Sequence, residues 1–391
     1  MIYFDNSATT PIGKAVAGAV CRTMTEKWGN PSAAHGKGRE AELELDAARR
    51  AVRESFGVKR QSDGMLIFTG SGTEADNLAI TGTLYSKNFR FIPKIVTTDS
   101  EHPAVARSVD EAEKKGFEVV RLSTRRGVIN FEELASALDE RVVLVSVMRV
   151  NNETGAVYPV KEIFGEARKK SPYAVTHTDA VQGYMKINCN PDFLNADLVS
   201  VSGHKIGGPK GIGALWARQE LIRSKRLAPI IFGGGQENGM RSGTENMPGI
   251  VGMAAAASLF PAHGSERVTE LRNIIVSGLP EGVACNTCDG DYLPNIISLL
   301  CRGIKSEVLV RFLSERGIYV SAGSACSAKR LKTSPALTAF GLSPDEADST
   351  IRVSISADNT EEECRMFLSE LEDAVKALQK KRGQAVKNGG F

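Results

Sequence analysis

No stretch of this 391-residue chain approaches the roughly 18 uninterrupted apolar residues of a membrane-spanning helix. Its first ten residues, MIYFDNSATT, carry no basic region followed by an apolar run, so nothing there reads as a secretory signal. Charge of one sign is also lacking. The 49 basic and 46 acidic residues leave a net +3, too balanced to make nucleic acid the main ligand. Cysteine is sparse, and the seven are odd in number and widely spread, which excludes a disulfide framework. A cytoplasmic protein with free thiols is the expectation. Aromatic residues make up only 6% of the chain, and there is no internal repeat or low-complexity block.

What remains is a chain too long for one hydrophobic core, so two domains are expected. Strand-like and helix-like segments alternate through the first two thirds. GMLIFT (64–69) precedes a helical stretch from about Thr73, and KIVTTD (94–99) precedes HPAVARSVDEAEKKG. Further strands are predicted at FEVVRL, RVVLVSVMRV (141–150), AVTHTDA (174–180) and ADLVSVSG (196–203), with VKEIFGEARKK helical between them. Such alternation predicts a mainly parallel sheet with helices on both faces. From about residue 258 the texture changes to amphipathic helices and short strands, PNIISLL and IRVSIS, and then a terminal helix capped by Thr360. That reads as a smaller α+β domain.

The chemistry gathers where strands end. In VSVSGHKIGGPKGIGA (199–214), a buried-looking strand runs directly into His204 and Lys205 within a glycine-rich loop. A lysine placed there costs free energy unless it is paired, neutral or covalently used. The stretch fails the P-loop pattern, because Gly208 is followed by Pro209 and Lys210. Upstream, Gly70-x-Gly72-x-x-Ala75 formally matches a dinucleotide fingerprint, but Arg90 and Phe91 stand where the acidic ribose ligand belongs. A helix N-terminus opened by glycines still suits a phosphate, with Thr73 adding a hydroxyl; an ordinary strand-to-helix turn is the alternative. Asp179 ends another strand, where it could equally cap a helix. Asp179, Gln182, Ser202, His204 and Lys205 therefore converge on one sheet edge beside a phosphate cradle. An acid, a reactive lysine and an anion pocket suit pyridoxal 5'-phosphate.

On those residues the sequence resembles the cysteine desulfurases of the IscS/NifS group, class V aminotransferase-like enzymes. The likeness is carried by SGHKIGGPKGIG and runs nearly end to end. It includes YFDNSATT (3–10), GNPSAAHGKG (29–38), GSGTEADN (70–77), EHPAV (101–105) and NNETG (151–155). It continues through HTDAVQ (177–182), GGGQENGMRSGTEN (233–246), SAGSACSA (321–328) and IRVSI (351–355). The resemblance implies an α/β fold of the fold-type I pyridoxal phosphate class, its large domain built on a mainly parallel sheet of the seven-stranded type. The large domain would span 14–257. Residues 1–13 and 258–391 would form the small domain, with a catalytic loop at about 321–335 and a disordered tail from 382.

By the same resemblance, Lys205 anchors the cofactor, Asp179 pairs with its pyridinium and Gln182 bonds its phenolic oxygen. His102 stacks on the ring and shuttles protons, although by itself it reads as a helix-start histidine. Gly72, Thr73, Ser202 and His204 hold the phosphate, and Thr244 reaches the phosphate of a partner subunit. That implies a homodimer with shared active sites. Without the family, residues 241–246 read as a polar loop. Asn152, placed with the cofactor-binding residues, would with Arg352 hold the carboxylate of L-cysteine; Arg352 alone reads as a surface strand arginine. A planar guanidinium suits that bidentate grip.

Cys326 sits in VSAGSACSAKRLKTS, small and polar and hence expected to be mobile, with Lys329, Arg330 and Lys332 just downstream. Positive charge lowers a thiol's pKa, and the thiolate is the nucleophile. The resemblance makes Cys326 the persulfide carrier of a long-loop desulfurase. An iron–sulfur scaffold or a tRNA-thiolation enzyme would collect its sulfur; no metal ligand set, membrane contact or direct nucleic-acid binding is expected.

Cys285 and Cys288 form a C-x-x-C without the second ligand pair of a zinc site, and read as incidental surface thiols, with redox activity the alternative. Cys21, Cys189, Cys301 and Cys364 read as structural, and His35 and His263 carry no assignment. Two other functions share these features. One is a different pyridoxal phosphate lyase or aminotransferase, such as a selenocysteine lyase. The other is a catalytically silent sulfur-transfer scaffold.

Overall fold

The computed structural model describes residues 1–58, 63–261, 264–323 and 333–388. Seven strands form the main sheet: β1 (Gly64–Thr69), β2 (Lys94–Thr98), β3 (Glu118–Leu122), β4 (Val142–Ser146), β5 (Val175–Asp179), β6 (Leu198–Ser202) and β7 (Gly213–Arg218). Their spatial order is β1-β7-β6-β5-β4-β2-β3. Only β7 runs antiparallel to its neighbours, pairing with β1 on one side and β6 on the other. The sheet is thus mainly parallel, as predicted. The sequence reading missed β7, whose GALWAR follows the glycine loop directly.

Alternation along each strand feeds two separate cores. Leu66, Phe68, Val145, Val199 and Trp216 enter one face, while Ile67, Leu144, Leu198 and Leu215 enter the other. Strands buried on both faces read as continuous apolar runs, which is why their positions were legible. Fully burying each such side chain contributes roughly 1.5–3 kcal/mol. Helix α1 (Lys14–Thr25) and helix α2 (Gly36–Ser55) pack on the first face together with the helix Met247–Leu259. Helix α3 (Gly72–Leu84) and helix α4 (Pro103–Lys114) cover the second.

A third core is built from Phe4, Ile297, Leu299, Val353, Phe367 and Leu371. Its sheet is three-stranded and antiparallel, with Ile296–Cys301 between Val283–Cys285 and Thr350–Ser354. The chain start joins it: Ile2–Tyr3 pairs in parallel with Ile318–Tyr319, and Phe4 meets Phe367 edge to face at 5.6 Å. The terminal helix Glu361–Asn388 continues past residue 382, where the sequence predicted a disordered tail. Among the described residues, no helix is long and apolar enough to cross a membrane.

Candidate active site

The site lies at the C-terminal edge of the parallel strands, where open α/β sheets place ligands. Ser71, extended at φ −172°, caps α3 by accepting from the Glu74 backbone N–H. This turns the free first-turn amides at Gly72 and Thr73 toward the cavity. Two glycines permit the cradle. A Cβ on Gly72 would fall 2.9 Å from Val181 Cγ2, and one on Gly213 would fall 2.5 Å from the Ser71 carbonyl carbon. Any side chain at either position would push the cradle apart.

Asp179 ends β5, and its Oδ1 accepts from the Val181 N–H at 2.9 Å. That local bond satisfies the capping alternative, yet the same carboxyl also lines the cavity. Burial raises its pKa, and the charges of His102 and Lys205 oppose that rise. Ser202 ends the adjacent β6, and a single 3-10 turn (Gly203–Lys205) carries Lys205 to the same edge. The chain start crosses over this turn: Lys205 Nζ donates to the carbonyls of Ser7 at 2.6 Å and Ala8 at 2.9 Å. Gln182 Nε2 donates to the Ser7 carbonyl at 3.0 Å, while its Oε1, although buried, has no hydrogen-bond partner among the described residues.

His102 is both a helix-start residue and a site residue. It caps α4 ahead of Pro103, its Nδ1 accepting from the Ala104 N–H at 3.2 Å, and its ring lines the cavity. Burial lowers its pKa, Asp179 opposes this and Lys205 adds to it. His204 lies against Thr9, and burial with the neighbouring lysines pushes its pKa down to about 4. A neutral imidazole there can offer a donor to an anion without adding charge.

Arg352 overturns the surface alternative, being only 2% exposed. Its guanidinium donates to the Asn152 carbonyl at 2.9 Å and to Asp5 Oδ1 at 3.0 Å, and Asn152 and Arg352 both face the cavity. Thr244 is exposed on the loop before the helix Met247–Leu259 and is not among the cavity's residues in this chain. Cys326, with Lys329, Arg330 and Lys332, lies outside the described residues, as does His263.

The cavity holds about 160 Å³ and gathers Gly72, Thr73, His102, Asn152, Asp179, Gln182, Ser202, His204, Lys205 and Arg352. Sequence reasoning missed Ser7, Ala8, Met148 and Asp76 in its wall. Asp76 offered one signal, an acid early in the helix that the phosphate cradle opens. Ser7 offered none, because only the fold brings the chain start across the sheet edge.

Glu101 supports the site from behind. Its Oε1 accepts from Thr98 Oγ1 at 2.7 Å and from the Met148 N–H at 2.9 Å. Burial outweighs these bonds and raises its pKa from 4.5 to about 8. A raised acid binds its proton more tightly folded than unfolded, so stability falls as pH rises between about 4.5 and about 8. One whole proton corresponds to a slope of about 1.4 kcal/mol per pH unit. Urea midpoints measured from pH 5 to 8 should lose most of that slope in Glu101→Gln. An unchanged slope would mean that Glu101 is ionised in the fold.

The remaining cysteines differ from the sequence reading in two places. Cys288 is buried and Cys285 half-buried, not incidental at the surface. Arg272 Nη2 stands 3.8 Å from Cys285 Sγ, and burial pushes the Cys288 thiol up to about 11. Cys189, Cys301 and Cys364 are buried, but Cys21 is exposed on α1 and holds no structure together. His35 caps α2 through its Nδ1.

Comparison with known proteins agrees with the constellation. The family model described as Aminotransferase class-V matches residues 2–367. A NifS/IcsS protein homolog of Lactobacillus delbrueckii subsp. bulgaricus is 37% identical, covering 97% of this chain and 98% of that protein. A cysteine desulfurase IscS of Dictyoglomus turgidum is 36% identical over 97% of this chain and 95% of its own. Among solved structures, a NifS-like protein superposes with a TM-score of 0.89 at 36% identity, covering 96% of this chain and all (100%) of that one. SspA, solved in complex with cysteine, superposes at 0.80 with 34% identity, over 92% of this chain and 100% of its own. A lysine, an acid and an anion cradle at one sheet edge, in a chain alike from end to end, have one consistent reading: the chain belongs to the class-V aminotransferase family, among the NifS/IscS cysteine desulfurases.

Proposed function

We propose that this protein converts L-cysteine to L-alanine with pyridoxal 5'-phosphate and passes the sulfur on as a persulfide of Cys326. One observation carries the reading. Lys205 opens onto a buried cavity shared with Asp179, with the partnerless Gln182 Oε1 and with the Gly72–Thr73 cradle. Those groups fit the cofactor by chemistry: an amine for its aldehyde, a carboxylate for its pyridinium, an amide for its phenolic oxygen and free N–H groups for its phosphate. When bound, pyridoxal phosphate supplies an electron sink for carbanion chemistry at the substrate's α-carbon.

This chain's residues would do the rest. Lys205 anchors the cofactor, and its freed amine takes the α-proton of cysteine as general base. Asp179 keeps the pyridinium charged, and Ser202 and His204 complete the phosphate site. Asn152 and Arg352 grip the substrate carboxylate, with Arg352 exchanging part of its Asp5 contact for it. His102 covers the ring and moves protons near the leaving sulfur. The Cys326 thiolate attacks that sulfur, the carbon–sulfur bond breaks, the β-carbon takes up a proton, and the proton held on Lys205 returns to the α-carbon to leave alanine. The sulfur stays on Cys326 until an acceptor's thiolate removes it.

We place the large domain at 14–257 and the small one at 1–13 with 258–391, because the third core unites the chain's beginning with its last third. Exposure of Thr244 suits a role across a homodimer, and the acceptor would be an iron–sulfur scaffold or a tRNA-thiolation enzyme in the cytoplasm. The purified protein incubated with L-cysteine and a thiol should form alanine and sulfide in equal amounts, with cofactor absorbance that borohydride fixes onto Lys205. A protein that takes up no pyridoxal phosphate overturns the reading.

A further inference from the structure

Asp76, on α3, lines the cavity at 1% exposure, and none of the roles above uses it. Among the described residues its Oδ1 has no hydrogen-bond partner. Burial raises its pKa well above the usual carboxylate range, Asp179 adds to the rise and the Ser200 hydroxyl opposes it, and His177 Nε2 stands 3.6 Å from Oδ1. That imidazole is no counter-charge. Its two nitrogens already engage Ser146 at 2.8 Å and Ser200 at 2.9 Å, and burial pushes its pKa down to about 3. An oxygen of Asp76, an oxygen of Asp179 and a ring nitrogen of His102 all lie within 4.8 Å of one another.

Asp179 acts on Asp76 as a like charge, and Glu101 does so once it ionises, whereas the fields of Lys205 and, when protonated, His102 act on Asp179. Two buried carboxyls this close do not both ionise without a cation between them. The cation-facing member is Asp179, and among the described residues no cation pairs with Asp76. We infer that Asp76 is a positioning residue that holds a proton, leaving Asp179 as the one carboxylate that faces the cofactor. A neutral acid at this point adds a donor beside Asp179 and no second negative charge. The pyridinium then meets a single negative charge, and the acid behind it fixes the proton count of the site.

This inference rests on the proposed cofactor only for what Asp179 faces; the proton on Asp76 is tested without it. Infrared spectra of the purified protein at pH 7 should contain protonated-carboxyl absorption from Glu101 and Asp76, and a band that persists in Glu101→Gln should disappear in Asp76→Asn. In Asp179→Asn, where the closest like charge is gone, the same band should titrate about one pH unit lower or more. In the protein with pyridoxal phosphate bound, Asp76→Asn should leave the pH midpoint of cofactor absorbance within about 0.3 units, because an amide reproduces a neutral acid's donor. No band lost in Asp76→Asn, or a midpoint moved by about a unit, overturns the inference. Should Asp76→Asn fail to fold, the Asp179→Asn shift decides it, and an unmoved band there overturns it. A protein that takes up no pyridoxal phosphate but shows the band and its shift would sink the proposed function and leave the proton assignment standing.

Discussion

Lys205→Ala should abolish turnover of L-cysteine, with kcat falling on the order of 10⁴-fold, the upper range for removing one general base. The loss has two physical parts. Alanine has no amine to anchor the cofactor's aldehyde, and none to accept the α-proton. Since Lys205 Nζ also donates to the Ser7 and Ala8 carbonyls, the variant frees two acceptors at the cavity wall. Folding should survive, because the lysine sits at the rim of the sheet and is not part of a core cluster. The variant should therefore still take up pyridoxal phosphate, now without a borohydride-fixable bond. Single-turnover mixing with L-cysteine, followed by amino-acid analysis, is the measurement. Desulfuration at the unmodified protein's rate with cofactor bound would remove Lys205 from the mechanism.

Cys326→Ser comes next in size. A hydroxyl at neutral pH is a far weaker nucleophile toward sulfur than a thiolate and cannot carry a persulfide. Alanine formation should drop by roughly 10²-fold or more, the scale of a single group acting in the transition state. Cofactor uptake and absorbance should be unchanged, which separates this loss from that of Lys205→Ala. Mass spectrometry of the peptide containing Cys326 after exposure to L-cysteine should show one added sulfur in the unmodified protein and none in the variant. Sulfide release at the original rate from Cys326→Ser would favour a lyase that needs no persulfide. Such an outcome would move the protein toward selenocysteine-lyase chemistry.

These two experiments address different halves of the molecule. Lys205 is fixed by β6, a strand buried on both faces, so its position follows from the sheet. Cys326 belongs to a polar stretch between Gly323 and Thr333. Beyond that stretch, Ser334 Oγ donates to Glu153 Oε2 at 2.6 Å, next to the proposed substrate residue Asn152. The chain at Ser334 is thereby tied close to the proposed carboxylate site.

Much of the large sheet was legible from residues alone. Strands with both faces buried leave uninterrupted apolar runs, and the cap at Ser71 and the proline after His102 mark helix starts directly. The exception was β7, where Gly211 and Gly213 disguised the start of a central antiparallel strand. Gly213 is required because Ser71 passes too close for any side chain, a reason visible only in three dimensions. The chemical types at the site were equally readable, since a lysine and an acid at strand ends are costly unless used. Arg352 was not: nothing in IRVSI shows that its guanidinium is buried between Asp5 and Asn152.

By itself the sequence determined the α/β class, the strand-end lysine and acid, and the glycine-opened start of α3, because local pattern and burial cost are written into neighbouring residues. Only the tertiary structure decided that the chain start, through Ser7 and Ala8, closes over Lys205, and that Asp76 stands against Asp179. Both are contacts between residues about a hundred or more positions apart. Their energies depend on distance and exclusion of water, which no local pattern encodes.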